Sequence, residues 1–138
     1  MGIVKSQFDN ILKGIFASGN TINLYSTLPS ADGTGGTMIG GNSYKAYTIK
    51  GSDFSVGNGI VTSTENMMLY LCEEESGHGT AVGFGVCGSD NKVMYFGEFA
   101  DPMPIGYNTV PTIKKYDEGK GEGIRITMTS TEANATSE

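Results

Sequence analysis

Residues 80–99, TAVGFGVCGSDNKVMYFGEF, carry the clearest β-hairpin pattern in the sequence. Over positions 82–86, valine and phenylalanine alternate with glycine, which is the period-two pattern of a half-buried strand. Residues 88–91, Gly-Ser-Asp-Asn, then favour a chain reversal, because these residue types suit tight turns. Alternation resumes over 92–99. The stretch therefore predicts a β-hairpin at the centre of the fold.

Gly83 and Gly85 fall on one face of the first strand of this hairpin. Glycine weakens a strand unless a neighbouring backbone or a bulky side chain must approach closely. That neighbour can belong to the same chain or to another subunit. Gly83 and Gly85 are therefore candidate interaction residues.

Composition predicts an all-β protein. The chain has 138 residues, enough for one domain, and its 21 glycines and 7 tyrosines favour turns and strands. We expect a single domain over 1–129, an antiparallel β-sandwich of jelly-roll type with about seven or eight strands and one N-terminal helix. Residues 130–138, STEANATSE, form a small, polar C-terminal tail.

Charge and hydropathy argue against two classes of partner. The formal net charge is -6 and the isoelectric point is about 4.7, so the basic surface of a nucleic-acid-binding protein is missing. No run of about 18 apolar residues is present, and the start MGIVKSQFDN lacks the pattern of a signal peptide. We expect neither nucleic acid nor membrane as a partner.

The N-terminal segment predicts an amphipathic helix over residues 3–16. Phe8, Ile11, Leu12 and Ile15 recur at helical spacing and form one apolar stripe. A short helix of this kind is marginal alone, so its stripe must cover a sheet of its own chain or another subunit. These four residues join the candidate interaction set.

The remaining alternation predicts further strands and one long loop. Residues 29–42 hold several glycines and no alternation, which indicates either a functional loop or a simple connector. Residues 67–72 are apolar on both sides, so we expect them in the middle of the sandwich or beneath the helix. Two prolines predict a turn over 100–108. The other predicted strands are 21–28, 43–49, 60–64, 109–116 and 123–129.

Residues with catalytic potential are few. His78 is the single imidazole, and its position between Gly77 and Gly79 beside three glutamates predicts a solvated surface residue rather than a base. Ser76 and Ser89 lie in no nucleophile elbow. The sequence thus predicts no catalytic residue.

The acidic residues and the glycine-rich loop suggest no ligand chemistry of their own. Glu73, Glu74, Glu75 and Glu98 could form a carboxylate pair, but a solvated acidic turn is the favoured interpretation. The loop 33–41 lacks the lysine and the following helix of a phosphate-binding loop. We predict no cofactor.

Two cysteines, Cys72 and Cys87, lie near the ends of predicted strands. We expect two reduced, half-buried thiols, with a disulfide between them as the open alternative. Together with one histidine they do not have the spacing of a zinc site, so no metal is predicted.

Four tyrosines leave a carbohydrate-binding alternative open. Tyr44, Tyr47, Tyr95 and Tyr107 could form a sugar-stacking platform on one face of the sandwich, as part of a module for attachment to a host surface. The favoured interpretation is that they are ordinary core and cross-strand residues.

Five segments follow one another in a recognisable order: LYSTLPSADGTGG at 24–36, SYKAYTI at 43–49, AVGFGVCGSDNKVMYFGEF at 81–99, ADPMPIGYNTV at 100–110 and GIRITMT at 123–129. In this order the chain resembles a family of small structural proteins of tailed bacteriophages, described as tail-fibre-like, head-fibre or capsid decoration proteins. The chain departs from the family at 76–80, which reads SGHGT where the family often has a Trp-Gly pair, and this leaves head or tail location open.

The resemblance implies a non-enzymatic virion component that is assembled in the host cytoplasm and carries no catalytic residues. Its implied partners are other capsid or tail proteins. We expect a homo-oligomer, and the three-fold positions and fibres that such proteins occupy favour a trimer. The helix 3–16 or the tail 130–138 is expected to contact another subunit.

Overall fold

The predicted hairpin forms the centre of the structure. The computed structural model describes residues 4–128, so the predicted tail 130–138 lies outside the described residues. The described chain is mostly antiparallel β-structure with one short helix, which confirms the prediction at that level. It has ten strands rather than seven or eight, because four of them are two-residue pairings too short to show alternation.

The strands form three antiparallel sheets. In chain order the elements are α1 (Lys5–Ile15), β1 (Thr21–Thr27), β2 (Thr37–Met38), β3 (Tyr47–Thr48), β4 (Phe54–Gly57), β5 (Ile60–Ser63), β6 (Met67–Met68), β7 (Gly79–Cys87), β8 (Val93–Ile105), β9 (Thr112–Ile113) and β10 (Arg125–Thr127). One sheet has five strands in the order β2-β1-β7-β8, with β3 also pairing with β1. The second sheet has the order β10-β5-β4, and the third joins β6 to β9.

The β7–β8 hairpin has the predicted alternation. Phe84 and Val86 are buried, and Phe84 packs against the rings of Tyr95 and Phe99 at centroid distances of 6.0 and 5.7 Å. At the turn, Asn91 adopts a φ of 63°, a conformation that asparagine tolerates better than most residues. One face of the hairpin therefore forms part of the core.

Strand β8 is longer than predicted. The prediction of a turn over 100–108 is therefore wrong for residues 100–105. The strand continues to Ile105 through Pro102 and Pro104. The register slips between Ala81 and Gly83, so that several residues of β8 bulge opposite one residue of β7. Since β8 is an edge strand, its prolines need no second strand partner.

Helix α1 packs on its own chain. Phe8 and Leu12 are buried, Ile15 is half-buried, and Ile11 is exposed. The ring of Phe8 lies against Gly59, in the β4–β5 turn. The helix therefore covers its own β4–β5 hairpin, which is one of the two alternatives open from the sequence; contact of these residues with another subunit stays a prediction.

A hydrogen bond fastens the helix to the same turn. The amide of Gly59 donates to the Asp9 carboxylate at 2.7 Å. We expect Asp9→Ala to lower the free energy of unfolding by about 1–2 kcal/mol, since a hydrogen bond to a charged group is lost. Urea denaturation measures this, with Asn10→Ala as the control, because the Asn10 side chain bonds only to exposed Gln7. Equal effects of the two changes would contradict this role of Asp9.

The two glycines of β7 make room for side chains of the same chain. A Cβ on Gly85 would meet the Tyr25 ring, and one on Gly83 would meet Leu28 and the carbonyl oxygen of Gly97. The close neighbours expected from the sequence are therefore present within one subunit. Contact of Gly83 and Gly85 with another subunit is untested.

Several predicted boundaries are wrong because the chain pairs only briefly there. Within 43–49, only Tyr47–Thr48 forms a strand, and within 109–116 only Thr112–Ile113 does. The predicted loop 29–42 contains β2 and the buried Ile39. These short pairings follow from contacts with distant segments, such as β1, rather than from local alternation.

Candidate functional site

His78 is buried, so the prediction of a solvated surface residue is wrong. Its side chain is 1% exposed. The Nδ1 atom lies 2.7 Å from the Tyr70 hydroxyl, and Nε2 lies 2.5 Å from Glu74 Oε1. We call Ser43, Tyr70, Glu74 and His78 the His78 network.

The glycines around His78 explain its inward position. Gly77 and Gly79 have φ angles of 72° and 81°, a left-handed conformation that glycine adopts without strain. These two bends turn the imidazole inward, and the His78 amide bonds to the Ile105 carbonyl at 2.9 Å. Opposite it, Gly41 leaves no space for a Cβ, because His78 and Glu74 fill that position.

Ser43 joins a second loop to the network. Its hydroxyl and its amide both donate to Glu74 Oε1, at 2.7 and 3.2 Å. Its hydroxyl oxygen also accepts from the Glu73 amide at 2.9 Å. Hydrogen bonds from His78 and then from Ser43 lower the pKa of the Glu74 carboxyl. Glu74 is thus a carboxylate fixed by hydrogen bonds, and the prediction of a solvated acidic turn is wrong at this residue. Glu73 and Glu75 are exposed, as predicted.

The protonation pattern follows from Tyr70. Burial is the largest cause that raises the pKa of Tyr70 well above its ordinary value, so the phenol keeps its proton at neutral pH. Its hydroxyl then donates to His78 Nδ1, and the remaining imidazole proton on Nε2 is donated to Glu74. In this arrangement every member of the network has a hydrogen-bond partner.

Tyr44 supplies a polar contact beside this network. Its hydroxyl accepts from the Leu24 amide at 3.2 Å and donates to Asn23 Oδ1 at 2.7 Å. The hydroxyl thereby bonds to β1 at the position between its two short partner strands, β2 and β3. Burial raises the pKa of Tyr44 to about 12. The ring contacts that of Tyr70 edge-on at 5.0 Å.

The His78 network has the contacts of a structural element. Both imidazole nitrogens are engaged, and the Ser43 hydroxyl bonds to the carboxylate rather than to the imidazole. A nucleophile and base pair would need the hydroxyl within reach of an imidazole nitrogen. Among residues 4–128, no group of three or more histidine, cysteine, aspartate or glutamate side chains could hold a metal ion.

The other sequence candidates lie apart from one another. Cys72 and Cys87 are both buried with free thiols. Tyr44, Tyr47 and Tyr95 are half-buried and pack against the core, whereas Tyr107 is exposed. Carbohydrate binding through these tyrosines stays a prediction.

Four exposed apolar side chains lie on and beside the β6–β9 ribbon. The Met68–Thr112 pair and the hydrogen bond from the Cys72 amide to the Thr109 carbonyl align segments 67–72 and 108–113. Met68 and Leu71 are exposed, so the expectation that 67–72 lies in mid-sandwich is wrong for these two side chains. We use the name ribbon patch for the four exposed residues Met68, Leu71, Tyr107 and Val110, which are 69%, 43%, 56% and 41% exposed.

Comparison with family models, with curated proteins and with solved structures finds no match for this chain. In the part of the chain that the structure describes, no helix has the length and apolar character needed to cross a membrane. The described residues therefore form a small β-protein with an internal polar network and an exposed apolar ribbon.

Proposed function

We propose that this chain is a non-enzymatic structural subunit of a bacteriophage virion, a capsid decoration, head-fibre or tail-fibre adaptor protein. It acts through protein–protein contacts and enters the particle in the host cytoplasm. The ribbon patch is the observation that carries the proposal, since grouped apolar side chains on a surface mark interaction sites. The resemblance of the sequence to tailed-phage structural proteins supplies the class of assembly.

Burial of the ribbon patch against a partner favours binding. Removing apolar surface from water contributes about 25 cal/mol per Å² before the entropy cost of association. Met68 and Leu71 are flexible aliphatic side chains that adapt to a partner surface, and Tyr107 adds an aromatic ring with a polar end. This composition suits a protein partner.

The proposal includes a jelly-roll-like sandwich as the finer description of the fold. Its support is a core shared by all three sheets and the helix. The five-stranded sheet contributes Ile22 and Leu24, the three-stranded sheet Val61, the ribbon Met67, and the helix Leu12. Such a rigid body suits a repeated building block of a particle.

We further propose a homo-oligomer, with a trimer favoured by the resemblance alone. Ile11 is the member of the helix stripe that the structure leaves exposed, so it is the stripe residue available to a second subunit. Light scattering at micromolar concentration tests this: a mass near three times 14.5 kDa is expected, and a monomer mass would contradict a stand-alone oligomer.

A paired substitution tests the function. We expect Met68→Ser with Leu71→Ser to reduce co-sedimentation of the purified chain with particles lacking it by at least about tenfold, because apolar contact area is lost. Met94→Ser is the matched control, since Met94 is an exposed methionine on β8, outside the patch. Unchanged melting temperatures establish that all variants fold. Wild-type binding by the double variant would contradict the proposed role of the patch.

A further inference from the structure

Glu74 connects two loops through a single atom. Loop 40–46 lies between β2 and β3, and loop 73–78 precedes β7. Glu74 Oε1 accepts hydrogen bonds from His78 Nε2 and from both the hydroxyl and the amide of Ser43. Three donors converging on one oxygen require a charged carboxylate, which makes the connection sensitive to protons.

We propose that the His78 network is an acid-operated latch: uptake of a proton releases loop 40–46 from loop 73–78 and withdraws the Tyr44 hydroxyl from the edge of β1. This is a property of the fold itself and holds whatever particle the chain belongs to. At neutral pH the latch is closed, with Glu74 ionised.

Protonation of Glu74 weakens the connection between the two loops. The carboxylate loses the negative charge that the Ser43 and His78 donors face. A neutral carboxyl group is a weaker acceptor than an ionised one, so the hydrogen bonds that hold loop 40–46 lose strength when the proton is taken up.

The groups that face this pair come from three segments. Tyr70 faces His78 from the segment after β6. After burial, the largest cause, Cys72 and Tyr44 also raise the pKa of Tyr70. Ser43 faces Glu74 from loop 40–46, while Glu73 contributes its amide to the Ser43 hydroxyl. Among these described contacts no second carboxylate accepts from Ser43 or His78 in place of Glu74.

The direction of the Glu74 pKa gives the pH window. The hydrogen bonds from His78 and Ser43 place it below the ordinary 4.5, so the folded state binds this proton less readily than the unfolded chain. The contribution of the ionised carboxylate is complete above about pH 4.5 and is lost as the pH falls through the lowered pKa. The latch is thus expected to open in acid and not near neutrality.

Opening has a defined consequence for β1. Tyr44 follows Ser43 directly in the chain, and its hydroxyl is the partner of the Leu24 amide. When loop 40–46 moves away, that amide becomes unpaired at a sheet edge. An unpaired edge admits water and offers a site for pairing with another strand.

Hydrogen exchange measured by mass spectrometry from pH 7 to pH 3.5, corrected for intrinsic rates, tests the latch. Peptides covering 21–25 and 40–46 are expected to exchange at least about tenfold faster at the acid end, while the peptide covering 83–87 keeps its protection. Glu74→Gln is expected to show the fast exchange already at pH 7. Glu75→Gln, a change at an exposed neighbouring glutamate, is expected to behave as wild type.

Three results would overturn the proposal. The first is unchanged protection of 40–46 down to pH 3.5 in the wild-type chain, a measurement that needs no variant to fold. The second is an equal effect of Glu74→Gln and Glu75→Gln. The third is simultaneous loss of protection in 83–87, which would mean global acid unfolding rather than a local opening.

Discussion

Gly83→Ala is expected to lower the free energy of unfolding by about 3 kcal/mol, a large share of the stability of a small domain. The added Cβ meets the carbonyl oxygen of Gly97 and the side chain of Leu28. The Gly83 backbone cannot shift easily, because it pairs with Tyr25 on one side and with Glu98 on the other. Strand β7 must therefore lose pairing on at least one side.

Urea denaturation of Gly83→Ala and Gly51→Ala separates crowding from the general effect of replacing glycine. A Cβ on Gly51 meets no atom within 4 Å and the residue does not have positive φ, so its replacement is expected to change stability by less than about 1 kcal/mol. Equal stability of the two variants would show that β7 is not held between its neighbours as described.

His78→Leu is expected to destabilise the fold by about 2–3 kcal/mol. The leucine keeps most of the buried volume but leaves the Tyr70 hydroxyl without its acceptor inside the protein. An unsatisfied buried hydroxyl costs about 1–3 kcal/mol. Adding Tyr70→Phe removes that hydroxyl, so the double variant is expected to recover at least about half of the loss.

Thermal and urea unfolding of the two single variants and the double variant measure this coupling. Additive losses would contradict the hydrogen bond between Tyr70 and His78. A further variant, His78→Ala, addresses catalysis: an enzyme would lose turnover in this variant while its fold persisted, whereas a structural network predicts that stability itself falls.

The sequence predicted the central hairpin and the helix because their signals are local. Alternation of Phe84 and Val86 with glycine needs only neighbouring residues to specify a strand, although in the fold residues 83–87 are buried on both faces. The spacing of Phe8 and Leu12 likewise defines the buried side of a helix, observed as Lys5–Ile15 within the predicted 3–16. Partners far along the chain change neither pattern.

The His78 network was missed because its members come together only in the folded chain. Glycines beside His78 indicate a flexible, exposed loop by composition, yet here they bend the chain so that the imidazole points inward. Ser43 and Tyr70 carried no local signal of pairing with it. The i to i+4 spacing of Glu74 and His78 is the one hint that the sequence contained.

The ribbon patch was missed for a different reason. Residues 67–72 are apolar on both sides, and such a run predicts burial without saying which side lacks a cover. In the fold, Met67 enters the core while Met68 faces outward, because the β6–β9 ribbon has only two strands and packs through one face. Burial here is decided by sheet topology.

The proposal that this chain is a structural virion subunit is tested most directly by quantitative mass spectrometry of gradient-purified particles of the phage that encodes it. We expect the chain to co-purify with the major capsid or tail protein at a fixed copy number that is a multiple of the particle symmetry, and to stay bound after a high-salt wash, since an apolar contact is not screened by salt. Recovery of the chain only in the soluble fraction, with none on washed particles, would contradict the account.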